Sequence, residues 1–202
     1  MSKKPLYLVI IGPSGGGKGT QAKMLAKKFG LKHLSMGELL RGEIAKESEL
    51  GEEIARIINQ GQWLDTPTTV SVLKPALEES LSSGFILDGF PRQPDQPGAL
   101  EGLLEENKTD LDLVIHIQVS VEEIMRRRQV LAEKGKGFYP GQKRDDESEE
   151  SIRGRLQAYQ DTIGPILEYY RGKGILVEVD GERAVEPIHG EILELIKKRV
   201  KK

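Results

Sequence analysis

Apolar residues in this chain gather in short bursts at 6–11, 85–87, 111–119 and 175–179, with a weaker one at Leu31–Leu34. Polar stretches with helical spacing separate them: Gln21–Ala26, Gly37–Lys46, Thr68–Ser82 and Leu100–Glu106. A longer helix is marked by one face, Ile152, Leu156, Tyr159, Ile163, Leu167 and Tyr170, which Pro165 is expected to kink. Strands alternating with helices predict a parallel sheet of five strands covered on both faces, a three-layer α/β/α fold. Two stretches break the alternation. Residues 36–83 carry only helical patterns and read as a helical excursion from the sheet, while 134–144 are rich in glycine and charge and read as a loop between two helices. The basic tail 197–202 reads as a solvated helix end, favourable against the helix dipole.

Between the first strand and the first helix stands Gly12-Pro13-Ser14-Gly15-Gly16-Gly17-Lys18-Gly19-Thr20. Strand, glycine-rich turn and helix together make the setting of a phosphate-binding loop (P-loop). Glycines let successive backbone N–H groups turn inward to form a concave anion nest. The helix behind them adds unpaired N–H groups and its positive dipole end. Lys18 supplies a point charge within reach of terminal phosphates, and the hydroxyl of Thr20 can face a magnesium ion. Gly-x-x-x-x-Gly-Lys usually continues with that hydroxyl directly; here Gly19 intervenes. A dinucleotide-binding turn could be read into Gly15-x-Gly17-x-x-Thr20, but it needs a strand ending in an acidic residue about 20 positions on. Glu38 lies inside a helical pattern, and Lys18 would have no role there, so this reading is rejected.

Composition narrows the class. The 202 residues, 37% hydrophobic and 31% charged, suit one globular domain with a substantial core. A formal net charge of −2 gives no global basic field for nucleic acid or anionic membrane, so anion affinity must come from clustered Arg and Lys. The absence of cysteine excludes disulfides, zinc–thiolate sites and thiol catalysis and fits a reducing compartment. The first apolar run is too short for a signal peptide and ends in the glycine loop, and no segment is long enough to span a bilayer. A cytoplasmic protein, monomeric and without nucleic-acid or membrane partners, is expected.

Sites on such a sheet lie beyond the carboxyl ends of the strands. Phe85-Ile86-Leu87-Asp88-Gly89-Phe90-Pro91-Arg92 places a carboxylate and a guanidinium there, and an Asp at that point can hold the water shell of a magnesium ion on phosphates. Ser35 reads as a helix cap with Arg41 further along that helix, while Arg127, Arg144, Arg153 and Arg155 flank the loop at 134–144. Each arginine alone would more often be solvated surface. Together with Lys18 they exceed what one triphosphate requires, which suggests two phosphorylated ligands, donor and acceptor. An acceptor phosphate already carries an ionised oxygen, so no general base is needed; positioning, charge neutralisation and water exclusion do the work. The acidic run 145–150 reads as a helix start rather than paired catalytic carboxylates. His33, His116 and His189 read as structural. Asn107-Lys108-Thr109-Asp110 spells a guanine-reading motif but follows a helical pattern instead of a strand, and is taken as chance.

These stretches resemble the adenylate kinase family of nucleoside monophosphate kinases. The likeness covers 12–22, His33–Arg41, Gly84–Arg92, Gln96, Arg127, Arg144 with Asp146 and Glu147, Arg155-Leu156 with Tyr159, and Asp180-Gly181, all in family order. It implies ATP, with Mg2+, on Gly15, Gly16, Gly17, Lys18, Gly19 and Thr20, with Arg127 on the donor side. It implies a monophosphate acceptor, AMP favoured, at Ser35, Met36, Arg41, Leu64, Gly89, Arg92 and Gln96, beneath an insertion at 35–64. Lys18, Asp88, Arg92, Arg127, Arg144 and Arg155 are then the catalytic set, Asp88 and Thr20 serve the magnesium through water, and 128–144 form a short lid without a zinc knuckle. Gln96 can donate and accept towards an adenine edge; a UMP or CMP kinase and a nucleotide-binding switch are the alternatives. Three positions depart from the family pattern: Met36 for Thr, Glu147 for Asp, and Leu131 for an Arg one turn after Arg127. Arg128, Lys134 or Lys136 can replace the missing charge, and Lys134 or Lys136 is expected to carry some of it.

Overall fold

The computed structural model describes residues 4–60, 62–133 and 149–200. Each apolar burst is a strand: β1 (Tyr7–Ile11), β2 (Lys32–Ser35), β3 (Phe85–Asp88), β4 (Leu113–Gln118) and β5 (Leu176–Asp180). The helices are α1 (Lys18–Phe29), α2 (Met36–Ile44), α3 (Glu49–Asn59), α4 (Thr66–Ser80), α5 (Gln96–Glu106), α6 (Val121–Glu133), α7 (Glu149–Gly172) and α8 (Val185–Val200). The sheet runs β2-β3-β1-β4-β5 and every pairing is parallel.

Alternation along β1 shows why the burst is continuous. Leu8 and Ile10 face Ala22 and Leu25 of α1 and Ile188, Ile192 and Ile196 of α8. Tyr7, Val9 and Ile11 face the other way, onto Leu73 and Leu77 of α4, Leu100 and Leu104 of α5, and Ile166 and Tyr170 of α7. With helices on both faces, all five residues of β1 are buried. Each such side chain withdrawn from water contributes roughly 1.5–3 kcal/mol. A third cluster, Ile124 with Ile152 and Leu156, joins α6 to the start of α7.

The helical excursion is smaller than its sequence pattern suggests. Leu73 and Leu77 dock α4 on the sheet, and Met36, with Leu39 and Leu40, lays α2 along the same core. Only α3, which buries Gly51 and Ile54, keeps most of its surface in solvent. Pro165 lies inside one continuous helix. Asn107 caps α5, and Lys108 takes a positive φ of 54°, so the guanine-motif look-alike is a helix-ending turn. The expected lid, 128–144, begins inside α6; its remainder, with Arg144, Lys134 and Lys136, lies outside the described residues, as do residues 145–148 of the acidic run.

Register sets where the site can be. Across β2, β3 and β1, Ser35, Asp88 and Ile10 stand side by side at the carboxyl edge. The chain segments leaving these strands therefore emerge together.

Candidate active site

The loop after β1 is shaped for an anion. Gly15 and Gly17 adopt φ values of 82° and 91°, the left-handed region where a Cβ would be strained. Gly12 is needed for space, because a Cβ there would lie 2.7 Å from the carbonyl oxygen of Ile117. Ser35, Ser48 and Asp65 cap α2, α3 and α4 with their side chains. The N-cap of α1 is Gly17, which has no side chain to offer, so no side chain covers the start of that helix where it opens onto the loop. Lys18 Nζ donates to Pro13 O at 2.9 Å, folding the ammonium back over the loop.

The turn after β3 meets this loop. A small cavity of about 20 Å³, one water in size, is lined by Gly12, Lys18, Gly89, Arg92, Tyr159 and Thr162. A Cβ at Gly19 would touch Asp88 Oδ2 at 3.4 Å, so the residue between Lys18 and Thr20 is the one against which the carboxylate rests. His33 Nε2 stands 3.6 Å from Asp88 Oδ2, an ion-pair distance rather than a short hydrogen bond. Burial pushes the Asp88 carboxyl up, but His33 together with the charges of Lys18 and Arg92 outweighs it, and the net position is below the usual carboxylate range. Asp88 is thus held ionised beside the loop.

Arg92 is placed by backbone contacts. Its Nε donates to Gly89 O at 2.7 Å, and its backbone N–H donates to Gln96 Oε1 at 2.6 Å. Gln93 N also donates to that oxygen, at 3.2 Å. The carboxamide of Gln96 is buried, and reading an adenine edge with both of its ends requires the oxygen to release these donors. Leu64 O accepts from Gln93 Nε2 at 2.6 Å, tying the segment before α4 to the same turn. Arg41 lies exposed on α2, its guanidinium folded towards Gly37. Ser35 accepts from Glu38 N at 3.4 Å as the cap of α2.

Further along the carboxyl edge, Arg127 Nε donates to Glu123 Oε1 at 2.7 Å and its NH2 group to Gly181 O at 2.7 Å. Glu123 serves Arg126 and Arg127 together, and the Arg126 hydrogen bond is the largest influence holding its carboxyl at about 2. Arg155 is half-buried on α7, one turn before Tyr159. Lys18, Asp88, Gly89 and Arg92 thus converge at one point, Arg127 lies on the neighbouring part of the edge, and Arg41 lies on the excursion. Glu123 had an i,i+4 signal towards Arg127 in the sequence. The approaches of His33 to Asp88 and of Tyr159 to the loop had none.

The model for the adenylate kinase family matches residues 10–175, which span the loop, the Asp88 turn, Arg127 and Arg155. The chain belongs to the adenylate kinase family. It is 38% identical over 193 residues to an adenylate kinase of Stenotrophomonas maltophilia strain R551-3, covering 95% of this chain and 100% of that protein. An adenylate kinase of Archaeoglobus fulgidus is 34% identical over 214 residues, with 96% and 99% covered. One from Corynebacterium urealyticum is 37% identical over 184 residues, with 91% and 94% covered.

Two departures from the adenylate kinase pattern have structural uses. Leu131, where an arginine is usual, packs on the cluster of Ile124, Ile152 and Leu156 and so helps join α6 to α7. Met36 is buried at the start of α2, and its Cβ lies 3.6 Å from where a Cβ of Gly89 would be. It fills the space beside the Asp88–Arg92 turn with apolar volume.

His116 supports the site from below. On β4, its Nε2 is 2.8 Å from the Tyr159 hydroxyl and its Nδ1 is 3.4 Å from Glu178 Oε1. A carboxylate only accepts, so the network assigns the ring proton to Nδ1 and has Tyr159 O–H donate to Nε2. Burial holds the His116 pKa below its ordinary value, against Glu178 and with a smaller push from Arg171. The unfolded chain therefore binds the proton more readily. The stability is fully present above about pH 6.5 and declines as pH falls from there through the lower native pKa. His116→Gln is expected to lose less of its urea midpoint between pH 7.5 and pH 5.5 than the parent protein; equal losses would show that His116 does not carry this acid sensitivity.

Proposed function

We infer that the protein transfers the γ-phosphoryl group of ATP to AMP, giving two ADP, as a monomeric cytoplasmic enzyme. The observation that carries this is the convergence of Lys18 on the phosphate loop with Arg92 on the neighbouring strand's turn, in a chain of the adenylate kinase family. The donor sits on Gly15, Gly16, Gly17, Lys18, Gly19 and Thr20 with Arg127 beside it. The acceptor phosphate meets Arg41 and Arg92, and its nucleoside lies among Ser35, Met36, Leu64, Gly89 and Gln96 beneath 35–64. Arg144, from the lid at 128–144, and Arg155, from α7, approach the transferring group.

The chemistry asks little of any base, because the attacking oxygen of AMP is ionised at neutral pH. The loop N–H groups and Lys18 hold the triphosphate, and Arg92 brings the acceptor into line; closure of 128–144 excludes water. Among the described residues no three His, Cys, Asp or Glu side chains gather as a metal cage, whereas Asp88 stands ionised against the loop. That donor set fits a magnesium ion held mainly by phosphates and water, with Asp88 and Thr20 turned to its water shell. When bound, the ion neutralises charge on the phosphates.

A coupled assay offering ATP with AMP, CMP, UMP or GMP tests the acceptor. AMP is expected to give the highest kcat/KM. A higher value with UMP or CMP would make the enzyme a pyrimidine nucleotide kinase. Guanine-nucleotide binding without transfer to any acceptor would make it a switch.

A further inference from the structure

We propose that Trp63 is a positioning residue for the acceptor phosphate, acting by holding the Arg92 guanidinium. The inference rests on the reading that Arg92 meets that phosphate. Trp63 is the single tryptophan of the chain and half-buried between α3 and α4. The Arg92 guanidinium carbon lies 5.0 Å from its ring centroid. At that separation the ring's negative face attracts the cation. The contact is not isolated: Gln93 Nε2 donates to Leu64 O at 2.6 Å, so the residues following Trp63 and Arg92 are joined as well.

The geometry leaves Arg92 little freedom. One edge is tied through Nε to Gly89 O at 2.7 Å, and one face rests on the indole. A guanidinium fixed by an edge and a face has its plane set before the ligand arrives, and planar bidentate capture of a phosphate depends on that plane. Loss of the indole would let the side chain sample other rotamers, each of which must be given up again on binding AMP. Trp63 also belongs to the segment that covers the acceptor, so the same contact couples the position of that segment to the arginine.

The experiment is a double-mutant cycle read in the forward assay. Arg92→Ala comes first: if it leaves KM for AMP unchanged, the acceptor reading itself fails. Given that it raises this KM, Trp63→Leu is expected to raise KM for AMP about 3- to 10-fold while kcat and KM for ATP stay near those of the parent. Trp63→Phe, which keeps a π face, is expected to recover most of the loss, and it serves as the folded comparison if the leucine variant is unstable. In an Arg92→Ala background, Trp63→Leu is expected to have no further effect on KM for AMP. Indole fluorescence of the parent protein should change on titration with AMP and not with ATP alone. An undiminished Trp63 effect without Arg92, an equal rise in both KM values, or no effect of either Trp63 substitution would overturn the proposal.

Discussion

Lys18→Met is expected to lower phosphoryl transfer by at least on the order of 10²- to 10³-fold, the range for removing one positioned electrostatic group. The methionine has much the same length and fills much the same space, so the loop keeps its shape and the thermal midpoint should move by no more than a few degrees. What disappears is the charge. In the free protein the ammonium is held by Pro13 O, a contact that a terminal phosphate can replace without rebuilding the loop. The same charge also helps hold Asp88 ionised, so the loss reaches the magnesium side as well. Steady-state kinetics alongside a melting curve provide the check. Near-normal turnover in a folded variant would show that Lys18 is not the phosphate lysine.

Arg92→Ala should separate the two nucleotides. Transfer to AMP is expected to fall on the order of 10²-fold, while ATP affinity measured by calorimetry without AMP changes little. The reason lies in the layout: Arg92 follows β3 and is oriented by Gly89, Gln96 and Trp63, none of them on the P-loop. The backbone donors that shape the turn remain when the side chain is removed, so the fold of 88–96 should persist. An equal loss of ATP affinity would place Arg92 on the donor.

Much of this was legible in the chain because burial on both faces of the central strands leaves few polar positions to blur them. Tyr7–Ile11 and Phe85–Asp88 announce themselves for that reason. The phosphate loop was legible because its chemistry is local, with glycines and lysine at fixed offsets. Contacts between distant residues were not. His116 and Tyr159 are 43 positions apart and meet only because α7 packs over β4. His33 reaches Asp88 through the parallel register of β2 and β3, which no pattern in either strand encodes. Trp63 could be read as a partly buried aromatic but not as the face on which Arg92 rests. The three helices of the excursion were legible, but Leu73 and Leu77 have ordinary helical spacing, which does not tell that α4 covers the sheet.

The most direct test starts from ADP alone. Incubated with the protein and magnesium and resolved by anion-exchange chromatography, ADP should convert to ATP and AMP in equal amounts, and the same mixture should be reached from ATP plus AMP. Only an enzyme that seats two nucleotides with their terminal phosphates facing each other can do both. Release of inorganic phosphate from ATP without any ATP and AMP appearing from ADP would contradict it.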